Sequence, residues 1–185
     1  MRFYVDSADA NEIRACLAQG LAAGVSAPVS ADDREGMLRE ARALAKLTAD
    51  ASPPAAAGAT DLAVRLPCTA EGLAAARACA GEGIRTEIAR CASPAEAVRA
   101  AQAGASYVSP PTGPTGAGAE AHDLVRKLVA TLRSYDLPTE VLVAARSASQ
   151  VVDAGLAGAR GVTAPYAVLV QLGAQRNRDA NPAAR

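Results

Sequence analysis

Short runs rich in Val, Ile, Leu and Tyr alternate along this chain with longer Ala- and Leu-rich stretches whose apolar residues recur at helical spacing. The runs predict strands at 2–7, 24–30, 62–67, 85–91, 107–111, 140–145 and 161–165, and the stretches predict helices at 10–19, 34–48, 70–81, 94–103, 119–134, 149–155 and 167–174. Strict alternation of the two kinds is the pattern of a parallel α/β domain. Capping residues support the boundaries. Thr69 precedes a helix with Glu71 in its first turn, Ser93 precedes Pro94, and Gly20, Gly83 and Gly104 follow helices where a left-handed residue is wanted. The stretch 51–60 is a loop by composition. Residues 1–176 are expected to form one domain and 177–185 a frayed tail.

Composition narrows the class. Half of the 185 residues are hydrophobic but only 3% are aromatic, so the core is built from small aliphatic groups. Acidic and basic residues balance at 19 each, which removes the electrostatic basis for nucleic-acid or anionic-membrane binding. No apolar run approaches the ~18 residues of a membrane span, and the opening segment meets Asp6 too soon for a signal peptide, so a cytoplasmic protein is expected. Cys16, Cys68, Cys79 and Cys91 have no paired spacing and the chain has one His, His122; structural thiols are expected, with no metal and no cofactor. All but two of the basic residues are Arg, the exceptions being Lys46 and Lys127. The glycine fingerprint of a dinucleotide site is missing after the first strand.

Several motifs carry a resemblance. MRFYVDSADANEI, LAVRLPCTAEGLAAARACAGEGI, AGASYVSPPTG, LPTEVLVAA and GLAGARGVTAPYAVLVQL are similar, in register, to segments of the small transaldolases and fructose-6-phosphate aldolases. The resemblance implies a (β/α) TIM-type barrel of the class I aldolase kind. Residues 24–31 run from the start of the family's second strand into its third, so one βα unit is missing and seven strands are expected instead of eight.

The resemblance also implies a site, and most of it has changed. The position of the Schiff-base lysine is Arg65, that of the water-holding threonine is Ala89, that of a phosphate-binding arginine is Pro114, and that of the serine in the family's LAAS motif is Ala145. Asp6 matches the family's first-strand aspartate, a general acid/base; Ser109 matches the serine of its SPF motif; Asp32 corresponds to an acidic residue of its third strand; Arg146 aligns with a second phosphate arginine after a one-residue deletion. A fifth-strand Asn is Glu87. Because side chains alternate along a strand, Glu87 points inward if position 89 does.

Two readings of Asp6, Arg65 and Glu87 stay open. In one they form a compensating ion pair that fills a disused site. In the other they form a rebuilt site in which Arg65 binds an anion, Asp6 or Glu87 moves a proton, and Asp32, Ser109 and Arg146 hold a small hydroxylated, carboxylated or phosphorylated metabolite. An inert binding or scaffold subunit is the competing function. The glycine-rich loop 112–119 lacks the ending of a nucleotide loop and reads as a connection. The resemblance implies ring-shaped homo-oligomers and a C-terminal extension past Leu172 that is mostly absent here; without it a dimer covering the seam of the deletion would substitute.

Overall fold

A computed structural model describes residues 1–52, 60–111 and 119–180. Among the described residues seven strands and seven helices alternate: β1 (Arg2–Asp6), α1 (Ala10–Ala18), β2 (Gly24–Pro28), α2 (Arg34–Ala51), β3 (Asp61–Pro67), α3 (Ala70–Gly81), β4 (Thr86–Ala89), α4 (Pro94–Gln102), β5 (Tyr107–Val108), α5 (Ala119–Ser134), β6 (Glu140–Ala144), α6 (Ala148–Leu156), β7 (Gly161–Ala164) and α7 (Tyr166–Ala180). The strands pair in chain order, all parallel, and β7 closes onto β1. The expected seven-stranded barrel is therefore the fold.

Local chemistry explains most boundaries. The Thr69 and Ser93 hydroxyls accept from the amides of Gly72 and Glu96, and Asp9, Asp33 and Ser147 cap α1, α2 and α6 in the same way. Two Ala-Gly-Ala corners turn helix into strand through Gly104 and Gly158, whose φ angles of 83° and 88° suit glycine best. β5 stops at Val108 rather than reaching 111, because Pro110 and Pro111 have no N–H to offer a ladder. α7 runs on to Ala180, into the stretch expected to fray, since no Pro or Gly interrupts it between 174 and 180. The glycine-rich 112–118, Pro114 included, the centre of the 51–60 loop and residues 181–185 lie outside the described residues.

Alternation along each strand sorts its side chains into two cores. Val5, Val25, Val64, Leu66, Ile88, Val108, Val141 and Val162 face outward and pack under the helices against Ile13, Cys16, Ala75, Cys79, Ala97, Leu128 and Leu169. The inward set includes Tyr4, Asp6, Ser26, Ala63, Arg65, Glu87, Tyr107, Ser109, Leu142 and Thr163. Tyr4, Ala63, Tyr107 and Leu142 make an apolar layer towards the amino ends of the strands. Fewer strands make a narrower barrel, and Tyr4 fits only because its neighbours are small. A Cβ on Gly24 would come within 2.8 Å of the Tyr4 ring, and one on Gly161 within 3.1 Å.

The Tyr4 and Tyr107 hydroxyls both donate to Asp61 Oδ2, and the two phenol rings meet edge to face at 5.6 Å. Burial first, and then the Asp61 carboxylate, push the Tyr107 hydroxyl well above its ordinary pKa; Tyr4 is raised chiefly by burial. Burial also lifts the Cys16 thiol from 9.0 to about 11. Each of these acids is neutral when protonated, so folding favours the protonated form. The associated stability is complete below the unfolded pKa and disappears as pH rises through the folded one. Thermal midpoints measured from pH 7 to 11 are expected to hold level to about pH 8.5 and then fall; Cys16→Ala should flatten the slope between pH 9 and 11.

Candidate functional site

Above the tyrosine layer, towards the carboxyl ends of the strands, five consecutive strands each contribute one polar group. β1 ends on Asp6, β2 carries Ser26, β3 carries Arg65, β4 carries Glu87, and Ser109 follows β5 directly. The register sets them side by side: Asp6 lies opposite Ser26, and Arg65 opposite Glu87. This is the end of the barrel at which the architecture places sites.

The groups form one connected network. Arg65 Nη2 is 3.0 Å from Asp6 Oδ1 and donates to Ser26 Oγ at 2.7 Å, while Arg65 Nε lies 3.5 Å from Glu87 Oε1. Ser26 Oγ donates to Glu87 Oε2 at 2.7 Å and Ser109 Oγ to Glu87 Oε1 at 2.6 Å. Glu87 is 1% exposed. Burial alone would lower the Arg65 pKa, but Glu87 and then Asp6 outweigh it and hold the guanidinium above its ordinary value. Arg65 is therefore a permanent cation facing two carboxylates, and both oxygens of Glu87 have partners.

That geometry separates the roles. A proton-transfer group must be open to its substrate, and Glu87 is buried with both oxygens already hydrogen-bonded. Asp6, with 31% of its side chain exposed, is the more open carboxylate; Arg65 is 21% exposed. Ser26 was not among the sequence-predicted site residues, although period-2 alternation from Gly24 puts it on the inner wall beside Asp6. Asp32 and Arg146 do not join the network. Asp32 lies exposed in the loop between β2 and α2; Arg146 follows β6, exposed, with its backbone amide bonded to Gln150 Oε1 at 2.6 Å.

Other candidate nucleophiles stand apart. Lys127 lies on the outer face of α5, paired with Asp123 at 2.6 Å, and Lys46 is exposed on α2, so neither lysine enters the barrel. Cys68 and Cys91 follow β3 and β4. Burial pushes both thiols up, and Cys91 donates to the Ile88 carbonyl at 3.5 Å; neither is a ready thiolate near neutral pH. His122 falls in the first turn of α5, and Tyr166 packs at the start of α7, its hydroxyl accepting from Gln19 at 3.2 Å. Among the described residues no group of three or more His, Cys, Asp or Glu is placed to hold a metal ion, and no helix is long and apolar enough to cross a membrane.

Removing one member of a buried pair leaves an uncompensated charge, whereas replacing both with neutral groups is far less costly. Arg65→Met should lower unfolding stability by about 3–5 kcal/mol in urea denaturation, by stranding Glu87. Arg65→Met combined with Glu87→Gln should recover most of that loss. A double variant as unstable as the single one would show that the pair is not coupled.

The family model for Transaldolase/Fructose-6-phosphate aldolase matches residues 6–184. A probable transaldolase from Anaeromyxobacter sp. (strain Fw109-5) is 34% identical, covering 93% of this chain and 89% of its own length. Another from Maridesulfovibrio salexigens is 34% identical across 100% of this chain and 95% of its own, and one from Caulobacter sp. (strain K31) is 39% identical over 80% and 64%. The first of these alignments spans 203 positions against the 185 residues here, so it requires gaps in this chain. Sequence, relatives and the seven-stranded parallel barrel agree, and the chain belongs to the transaldolase/fructose-6-phosphate aldolase family.

Proposed function

We propose that this chain has lost imine-forming aldolase and transaldolase chemistry, and that the Asp6–Arg65–Glu87 network fills the place of the family's Schiff-base site. The observation that carries the reading is the pairing of Arg65 with both carboxylates. An imine needs an amine that can shed its proton and attack a carbonyl. With a pKa above ~12, about one guanidinium in 10⁵ or fewer is neutral at pH 7, and the flanking carboxylates push that fraction lower still. The two lysines are exposed on the outer helices α2 and α5, and Lys127 is paired with Asp123.

What remains suits binding better than catalysis. The edge formed by Asp6 and Arg65 is the part of the network open to solvent, and it offers hydrogen bonds to a small hydroxylated metabolite. One cation against two carboxylates leaves the cluster with a formal negative charge, which disfavours a phosphorylated or carboxylated ligand directly on Arg65. The engagement of both Glu87 oxygens favours a second reading, an inert subunit whose barrel interior is a structural fill.

Intact-mass analysis after incubation with fructose 6-phosphate and borohydride is the test. The wild type is expected to stay unmodified, and Arg65→Lys, which restores a primary amine at that position, to gain a trapped adduct. A stoichiometric adduct on the wild type would overturn the proposal.

A further inference from the structure

A second cluster of charge lies at the opposite end of the barrel. Arg2 opens β1, Asp61 opens β3 and Arg85 immediately precedes β4. Asp61, its side chain 8% exposed, is already bound by the two tyrosine hydroxyls. Arg85 Nη1 lies 2.9 Å from Asp61 Oδ1 but off the hydrogen-bond direction, and Arg2 Nη1 lies 3.6 Å from Oδ2. Two guanidinium groups thus share one carboxylate, and both keep close to half of their surface open to solvent. Arg85 is held in place by its stacking over the Tyr107 ring, 4.7 Å from the centroid.

These heads line a cleft of about 570 Å³ between the end of α2 and the amino ends of β3 and β4. Its volume is that of a small-molecule site. Ala45, Leu62 and Ile84 supply apolar wall. Thr48, also on the wall, keeps its Oγ1 buried without a hydrogen-bond partner. A hydroxyl left unmet on that wall is available to an occupant that reaches it.

We propose that this cleft binds a small organic monocarboxylate, its carboxylate held by Arg2 and Arg85 and its short apolar body against Leu62 and Ile84. The charge count selects the class. Among the lining residues, two cations against one anion leave a surplus of one, which a single carboxylate neutralises and a phosphate dianion would overshoot. A neutral ligand leaves the surplus unmatched. The cleft is at the far end of the barrel from Asp6 and Arg65, so the proposal is independent of the fate of the imine chemistry.

The probes are hexanoate, hexanamide and acetate, titrated into the full chain and followed by backbone amide shifts. Hexanoate should move the amides of Thr48, Asp61, Gly83 and Arg85 saturably, with hexanamide and acetate each at least tenfold weaker, since one lacks the charge and the other the apolar body. Arg2→Gln, whose contact to Asp61 is the longer one, should weaken hexanoate at least threefold and leave hexanamide unchanged. Thr48→Val should act with opposite signs on two readouts: the free protein gains a degree or more in thermal midpoint, because a buried unpaired hydroxyl is removed, and hexanoate binding weakens. Equal binding of hexanoate and hexanamide, shifts centred away from these amides, or hexanoate affinity unchanged in both variants would overturn the proposal.

Discussion

A guanidinium clasped by two carboxylates inside a closed sheet is the interaction on which the rest of this molecule turns. Glu87 is buried and ionisable, and nothing would keep it inside a barrel unless its charge were met. Arg65 meets it from the facing position on β3, the Ser26 and Ser109 hydroxyls each donate to one of its oxygens, and Asp6 takes the other side of the guanidinium. Four of the partners stand on different strands and Ser109 directly follows a fifth, so the network also ties β1 to the end of β5 across the interior. Polar groups that satisfy one another in this way favour a single arrangement of the interior.

The narrowness of a seven-stranded barrel makes this arrangement workable. Removing a βα unit draws the remaining strands closer to the axis, so inward side chains meet after a short reach. One layer is filled by Tyr4, Tyr107, Leu142 and Ala63, with Gly24 and Gly161 making room, and the next by the ionic network. The two layers meet different needs. The tyrosines fill volume and hand their hydroxyls to Asp61 at the amino end, where charge can reach water through Arg2 and Arg85. The carboxyl end keeps its charges largely internal.

Much of this was legible in the chain. Hydrophobic period and capping residues placed all seven strands and all seven helices, because an amphipathic helix over a buried parallel strand leaves a strong signal. The pairing of Arg65 with Glu87 was legible too, since positions 65 and 87 fall on adjacent inward-facing sites and carry opposite charge. Ser26 went unread because a serine in a strand carries no signal until its strand is placed next to Asp6. Asp32 and Arg146 were drawn in by correspondence with family motifs, yet each sits in a loop beyond a strand end, where sequence position says little about direction. The Asp61 cluster was invisible for a related reason. Arg2 and Tyr4 on β1 are far along the chain from Asp61, Arg85 and Tyr107, and the five converge only once the barrel closes.

The central claim is that Arg65 remains locked to its carboxylates and that no amine reaches the mouth of the barrel. A crystal structure of the wild type soaked in fructose 6-phosphate tests it most directly. The account predicts the guanidinium still paired with Asp6 and Glu87 and no covalent density from any side chain to the sugar. Density continuous between a lysine Nζ and the keto carbon, or Arg65 swung away from Glu87 onto the phosphate, would contradict it.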